Sequence, residues 1–205
     1  NNQSFSAPSL VVDLLSGGAA RRLGLFFLKK LARIAIWRKS PRIIAIAGSH
    51  GKTVVKRTIV ELLSNYHKVQ SNPRSYNTDI GLPLAILNVE LNSLHLQSIA
   101  RSISKAAWNT LFERAPLDYL VLEFGVRNSG DMRQLLGTVL PDIAILTTLT
   151  PSYSDDVDVL RTLQDEMKIL VGAAGATCQF IVDGDDPLLE EVTRSLPKQA
   201  VVIRS

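Results

Sequence analysis

The segment Ile43-Ile44-Ala45-Ile46-Ala47 runs without a polar residue into Gly48-Ser49-His50-Gly51-Lys52-Thr53, and a helix-patterned stretch follows. No other part of the chain limits the fold as tightly. An apolar, β-branched strand of this kind is covered on both faces, which places it inside a parallel sheet, and a tight turn into a helix begins a β-α-β unit. The turn has its own chemistry. Gly48 and Gly51 let the backbone fold so that its N–H groups converge, and Lys52 adds a compact positive charge. Thr53 sets a hydroxyl in the first turn of a helix whose N-terminus attracts anions. Amides, ammonium and hydroxyl in this order suit a nucleotide's phosphates and the accompanying Mg2+. The loop reads Gly-x-x-Gly-Lys-Thr; the longer phosphate-loop pattern has a further glycine where this chain has Ile46. Gly48, Ser49, His50, Gly51, Lys52 and Thr53 form the first candidate nucleotide-binding set.

Beyond Pro41 the pattern alternates strand and helix. Strands are expected at 42–47, 67–70, 117–124, 142–149, 179–182 and 200–203, and helices at 52–66, 82–87, 98–114, 130–136, 160–173 and 187–195. The helix after the loop should turn Val55, Ile59, Leu62, Leu63 and Tyr66 inward, and the one at 98–114 should repeat Ile99, Ile103, Ala106, Ala107 and Leu111. The fold class is therefore α/β, a mostly parallel sheet flanked by helices, with ligands at the carboxyl ends of its strands. Glu123 closes the apolar strand Tyr119-Leu120-Val121-Leu122 at that end. It is either a Mg2+ ligand or water-orienting base, or a solvated strand terminus. Hydroxyls at Thr147, Thr148 and Thr150 follow another strand and are expected to face the same cleft; Asp183, Asp185 and Asp186 follow a third, either to contact nucleotide or metal or to cap the helix that opens at Pro187, with capping the role expected of Asp186.

Two divisions are expected, a helical segment at 1–40 and a nucleotide-binding domain at 41–205. The net charge of +4 conceals their contrast: Arg21, Arg22, Lys29, Lys30, Arg33, Arg38, Lys39 and Arg42 stand against the single acid Asp13 up to residue 42. Leu23, Phe27, Leu31 and Ile34 share one face of a basic helix. That helix either lies on an anionic membrane surface through residues 20–40, or packs its apolar face on the domain. No apolar run reaches the ~20 residues that span a bilayer. The lone Cys178, in an apolar run, reads as a buried, reduced thiol of a cytoplasmic domain. His50, His67 and His95 lack metal-ligand spacing, which argues against zinc, and nothing calls for nucleic acid.

Taken in order, these segments resemble the central ATP-binding domain of the Mur ligase family. The likeness is carried by the Gly48–Thr53 loop, Asn77-Thr78-Asp79-Ile80-Gly81-Leu82-Pro83-Leu84, Glu123-Phe124-Gly125 with Gly130-Asp131-Met132, Pro141-Asp142-Ile143-Ala144, and the Asp185-Asp186-Pro187 corner. It implies an ATP-dependent, ADP-forming amide ligase acting on a cell-wall peptide precursor through an acyl phosphate. The protein would be cytoplasmic, peripheral at the inner membrane face. Lys52 and Glu123 would be the catalytic pair, Asn77 and Thr78 would line the cleft, and Thr53 and Glu123 would hold Mg2+.

Where the family has Gly-Pro-x-His this chain has Thr150-Pro151-Ser152-Tyr153, and Met167 stands at the position of a carbamylated lysine. A one-residue slip sets Glu166 there instead, as a carboxylate imitating the carbamate on a second metal. The resemblance also implies a C-terminal domain that 41–205 does not contain. The competing expectation is a nucleotide-binding scaffold that kept the cradle and lost turnover.

Overall fold

The computed structural model describes residues 18–73, 76–89, 96–112, 116–149, 157–197 and 200–203. Alternation along the first strand, β1 (Arg42–Ala47), decides how the sheet is covered. Ile44 and Ile46 point to one face, where Val121 and the helix α2 (Lys52–Ser64) meet them through Val55, Ile59, Val60 and Leu63. Ile43, Ala45 and Ala47 point to the other, larger core, together with Leu120 and Leu122 of β3 (Tyr119–Glu123). The small side chains of Ala45 and Ala47 are fully buried there.

The remaining strands are β2 (Val69–Ser71), β4 (Ile143–Leu146), β5 (Gln179–Asp183) and β6 (Val201–Ile203). They assemble in the order β2-β3-β1-β4-β5-β6, every neighbouring pair parallel. Ile46 is in register with Glu123 of β3, and Ala47 with Leu146 of β4. From β1 the chain runs to β2 and back to β3 on one side, then crosses to β4 on the other, so the turn after β1 lies at the switch point where such sheets bind ligands.

The large core is closed by helices α1 (Gly18–Lys39), α3 (Gly81–Ile86), α4 (Leu96–Phe112), α5 (Asp131–Leu136), α6 (Val157–Ala174) and α7 (Glu190–Arg194). Every side chain of α3 is buried. Cys178 is buried as expected, and burial raises its thiol pKa to about 11, which keeps it protonated and inert.

Two inward assignments are corrected. Leu62 and Tyr66 are 63% and 87% exposed. Leu62 sits roughly 100° around the helix from Leu63, off the stripe that α2 lays on the sheet. Helix α1 divides its expected apolar face between the two alternatives. It packs against the body through Ala32, Ala35, Leu25, Leu28, Leu31 and Ile36, whereas Leu23, Phe27 and Ile34 of the expected apolar face are open to solvent. The Nζ of Lys29 donates to Gln134 O (3.1 Å), and Arg33 donates to Gly137 O, which ties α1 to the end of α5. Residues 1–17 and 150–156, with Tyr153, and the side chains of Ile99 and Leu111 lie outside the described residues.

Candidate functional site

The strand–loop–helix at Gly48–Thr53 forms as the sequence predicts, and the loop docks on the end of β4. The N–H groups of Ser49 and His50 donate to Thr148 O at 2.9 and 3.3 Å, and Ser49 Oγ donates to the same carbonyl at 2.9 Å. Thr147 Oγ1 donates to His50 O at 2.7 Å. This approach requires a bare α-carbon at Gly48, because a Cβ would stand 2.7 Å from Thr147 O. Gly51, with φ +78°, is the left-handed residue that starts α2, and it brings no side chain to cap the helix. The first-turn amides of α2 have no i−4 carbonyl and remain available to an anion.

The Lys52 ammonium folds back over the loop, donating to Gly48 O (2.7 Å) and Ser49 O (2.9 Å). Burial lowers its pKa; Glu123 opposes that and Arg127 adds to it. Thr53 Oγ1 donates to Glu123 Oε2 at 3.0 Å, joining the loop helix to β3. The His50 ring is exposed, its Nδ1 3.0 Å from Ser49 Oγ.

Glu123 is buried, not a solvated terminus. Its partner is a residue the sequence reading missed. Lys56, 5% exposed, reaches Glu123 Oε2 at 3.4 Å and donates to Asn72 O at 2.6 Å. Asn72 in turn accepts from Glu123 N (2.8 Å) and donates to Glu123 O and Tyr76 O (both 3.0 Å). The signal was present: Lys56 falls in step with Ile59, Val60 and Leu63, and a lysine on an inward face needs a buried acid.

Asn77 and Thr78 divide. Asn77 O accepts from Gly125 N (2.9 Å), which sets it beside the end of β3. Thr78 uses its hydroxyl locally, accepting from Gly81 N (3.2 Å) at the start of α3. Asp186 caps as expected: Oδ1 accepts from Leu188 N (2.8 Å) and Oδ2 from Leu149 N (2.6 Å). Asp183, at the end of β5, accepts from Thr148 Oγ1 at 3.3 Å.

Glu166, expected as a ligand of a second metal, lies against the start of α5. It is 1% exposed, and its two oxygens accept from Gly130 N (2.8 Å) and Met132 N (2.6 Å), capping α5. Met167 is core, and Lys168 pairs at the surface with Glu191 at 2.6 Å. No group of three or more His, Cys, Asp or Glu side chains gathers as a metal site among the described residues. One carboxylate and one hydroxyl beside a phosphate loop still fit Mg2+, which commonly takes few protein ligands and completes its shell with phosphate and water.

A switch-point loop of this sequence, an uncapped helix start and a carboxylate on the neighbouring strand define a phosphate-loop nucleotide-binding α/β domain. The sequence matches the Mur ligase middle domain over residues 46–205, and the chain belongs to that family. Among curated relatives it is 30% identical over 145 residues to the UDP-N-acetylmuramoyl-tripeptide–D-alanyl-D-alanine ligase of Borreliella burgdorferi, covering 71% of this chain and 26% of that protein. It is 24% identical to the Bacillus subtilis ligase of the same name, over 80% of this chain and 30% of that one. The MurF ligase of Thermotoga maritima, solved in complex with ADP, shares the fold at TM-score 0.64 and 22% identity, over 88% of this chain and 36% of its own. The chain thus spans about a quarter to a third of the relatives it matches.

Proposed function

We propose that this chain is the ATP-binding core of an ATP-dependent carboxylate–amine ligase of peptidoglycan precursor synthesis. The observation that carries the reading is the junction at the loop, where Lys52 overlies the cradle and Thr53 meets the buried Glu123 at 3.0 Å. Its relatives are ligases, and one structural neighbour was solved with ADP, which favours ligation over a scaffold without turnover.

In such a ligation a substrate carboxylate oxygen attacks the γ-phosphorus of ATP, and ADP departs. An amine then attacks the acyl carbon, expels phosphate and loses a proton. Thr53 and Glu123 would hold Mg2+, which would supply neutralisation of the phosphate charge. The chain's own part is positioning and electrostatics. The α2 amides and Lys52 hold the phosphates, and Lys56 with Asn72 keeps Glu123 fixed in place. Asn77, beside the end of β3, lines the cleft. The protein acts in the cytoplasm, with residues 20–40 against an anionic inner-membrane surface; among the described residues no helix is long and apolar enough to cross a membrane.

Titration calorimetry of Mg-ATP into the chain tests the core of this. Binding is expected, weakened by Lys52→Ala and made independent of Mg2+ by Glu123→Ala. Absence of binding by the unmutated chain overturns the proposal.

A further inference from the structure

Helix α1 has two apolar faces, and among the described residues only one is packed against the core. The face that contains Leu25, Leu28, Ala32, Ala35 and Ile36 packs into the core. On the opposite side Leu23 (58% exposed), Phe26 (54%), Phe27 (61%), Ile34 (39%) and Trp37 (77%) form a stripe along the helix. At 100° per residue these five positions fall within an arc of roughly 100°, with Lys30 at its middle. Phe26 and Phe27 pack edge to face with centroids 5.7 Å apart, and the Lys30 ammonium lies 5.5 Å from the Phe26 ring.

We propose that this stripe is a membrane-docking surface that lays α1 in the plane of an anionic lipid headgroup layer. The inference rests on the membrane reading of residues 20–40 and resolves it to one face. Charge decides between occupants. Helix α1 contains Arg21, Arg22, Lys29, Lys30, Arg33, Arg38 and Lys39 and no acid. A second copy would bring one all-basic helix against another, which repels. A protein partner would have to bury Lys30 at the centre of the contact, where lysine is depleted. A lipid surface accommodates both features. The aromatic rings enter the headgroup–acyl boundary, and Lys30 extends along Phe26 to the phosphates. Trp37, at the helix end, has the amphipathic ring that settles at that depth. Lys29 and Arg33 meanwhile hold the helix to α5, so docking carries the whole domain with it.

The test uses the full chain with Trp108→Phe, which leaves Trp37 as the sole tryptophan of the two present. Vesicles of mixed phosphatidylglycerol and phosphatidylcholine should bind it, with a blue shift of Trp37 emission and weakening by salt. Pure phosphatidylcholine should bind it at least about tenfold more weakly, because each stripe-side cation contributes on the order of 1 kcal/mol at an anionic surface. Phe26→Ser with Phe27→Ser should lower partitioning by a further factor of about ten or more, given ~0.8 kcal/mol per buried methylene. Both rings are exposed, so circular dichroism and Mg-ATP affinity should be unchanged. Equal binding by the serine variant overturns the stripe but leaves membrane association standing. No binding to anionic vesicles overturns both, and a dimer lost in the serine variant without vesicle binding assigns the stripe to a second copy. None of these outcomes bears on nucleotide binding, which calorimetry reads separately.

Discussion

The starts of α2 and α5 are built alike and finished differently. Each opens on a left-handed glycine, Gly51 with φ +78° and Gly130 with φ +89°, and neither has a capping side chain of its own. A buried glutamate stands near both. At α5, Glu166 gives its two oxygens to the N–H groups of Gly130 and Met132 and closes the helix end. At α2, Glu123 turns instead to Thr53 and Lys56, and the helix end stays open. Two similar turns thus become a structural joint and an anion site, according to where one carboxylate points.

The largest expected effect lies in the pair behind the open end. Lys56→Met leaves Glu123 buried without its cation, which should cost about 3–5 kcal/mol. Adding Glu123→Leu should recover much of that, because an apolar pair of similar volume replaces a buried ion pair at little cost. Urea denaturation of the two variants decides it; a double variant no better than the single one would show that the pair does not set the cost.

Glu166→Ala comes next. The buried Met132 N–H loses its acceptor at ~1–3 kcal/mol and the half-buried Gly130 N–H at about 1 kcal/mol, so unfolding free energy should fall by about 2–4 kcal/mol. Mg-ATP affinity should not change. A variant that instead loses Mg2+-dependent binding at full stability would return Glu166 to the metal site and erase the contrast.

Much of this contrast was written in the sequence and some was not. The loop, the parallel sheet, Glu123 and the Asp186 cap were legible because each is a local pattern with one good structural solution. The direction of Glu166 was not. Positions 166, 167 and 168 point to different sides of α6, and only the approach of the Gly130 turn decides which of them meets it. Lys56 was visible as a lysine out of place on an apolar face, but the partner it required lies 67 residues away in another strand. Helix α1 defeated periodicity for a simpler reason. It has apolar side chains on opposite sides, and a pattern cannot say which side meets the core.

At the open end, Lys52→Ala removes a charge-assisted contact to phosphate worth about 1.5–3 kcal/mol, so affinity should fall roughly ten- to hundredfold. Stability should move by no more than ~0.5 kcal/mol. The sign of the pH dependence follows from its environment. Burial lowers the Lys52 pKa from 10.5, so the free protein loses this cation at a lower pH than an ordinary lysine does. ATP affinity should therefore fall as pH rises toward the ordinary lysine value of 10.5, and Lys52→Arg should flatten the profile because guanidinium stays charged. An unmutated profile already flat over that range would mean that Lys52 does not meet the phosphates.

The smallest effect separates the two turns most cleanly. A Cβ added at Gly51 or at Gly130 meets nothing within 4 Å, so alanine at either costs only the left-handed backbone, about 1–2 kcal/mol. The two substitutions should thus be nearly equal in thermal unfolding. They should differ in binding. Gly51→Ala strains the residue that aims the first amides of α2 at the phosphates, and ATP affinity should drop. Gly130→Ala strains a turn that Glu166 already holds from the core, and affinity should be unchanged. Equal losses of affinity in the two variants would show that the nucleotide senses general destabilisation of the domain, and the open helix start would no longer be needed to explain binding.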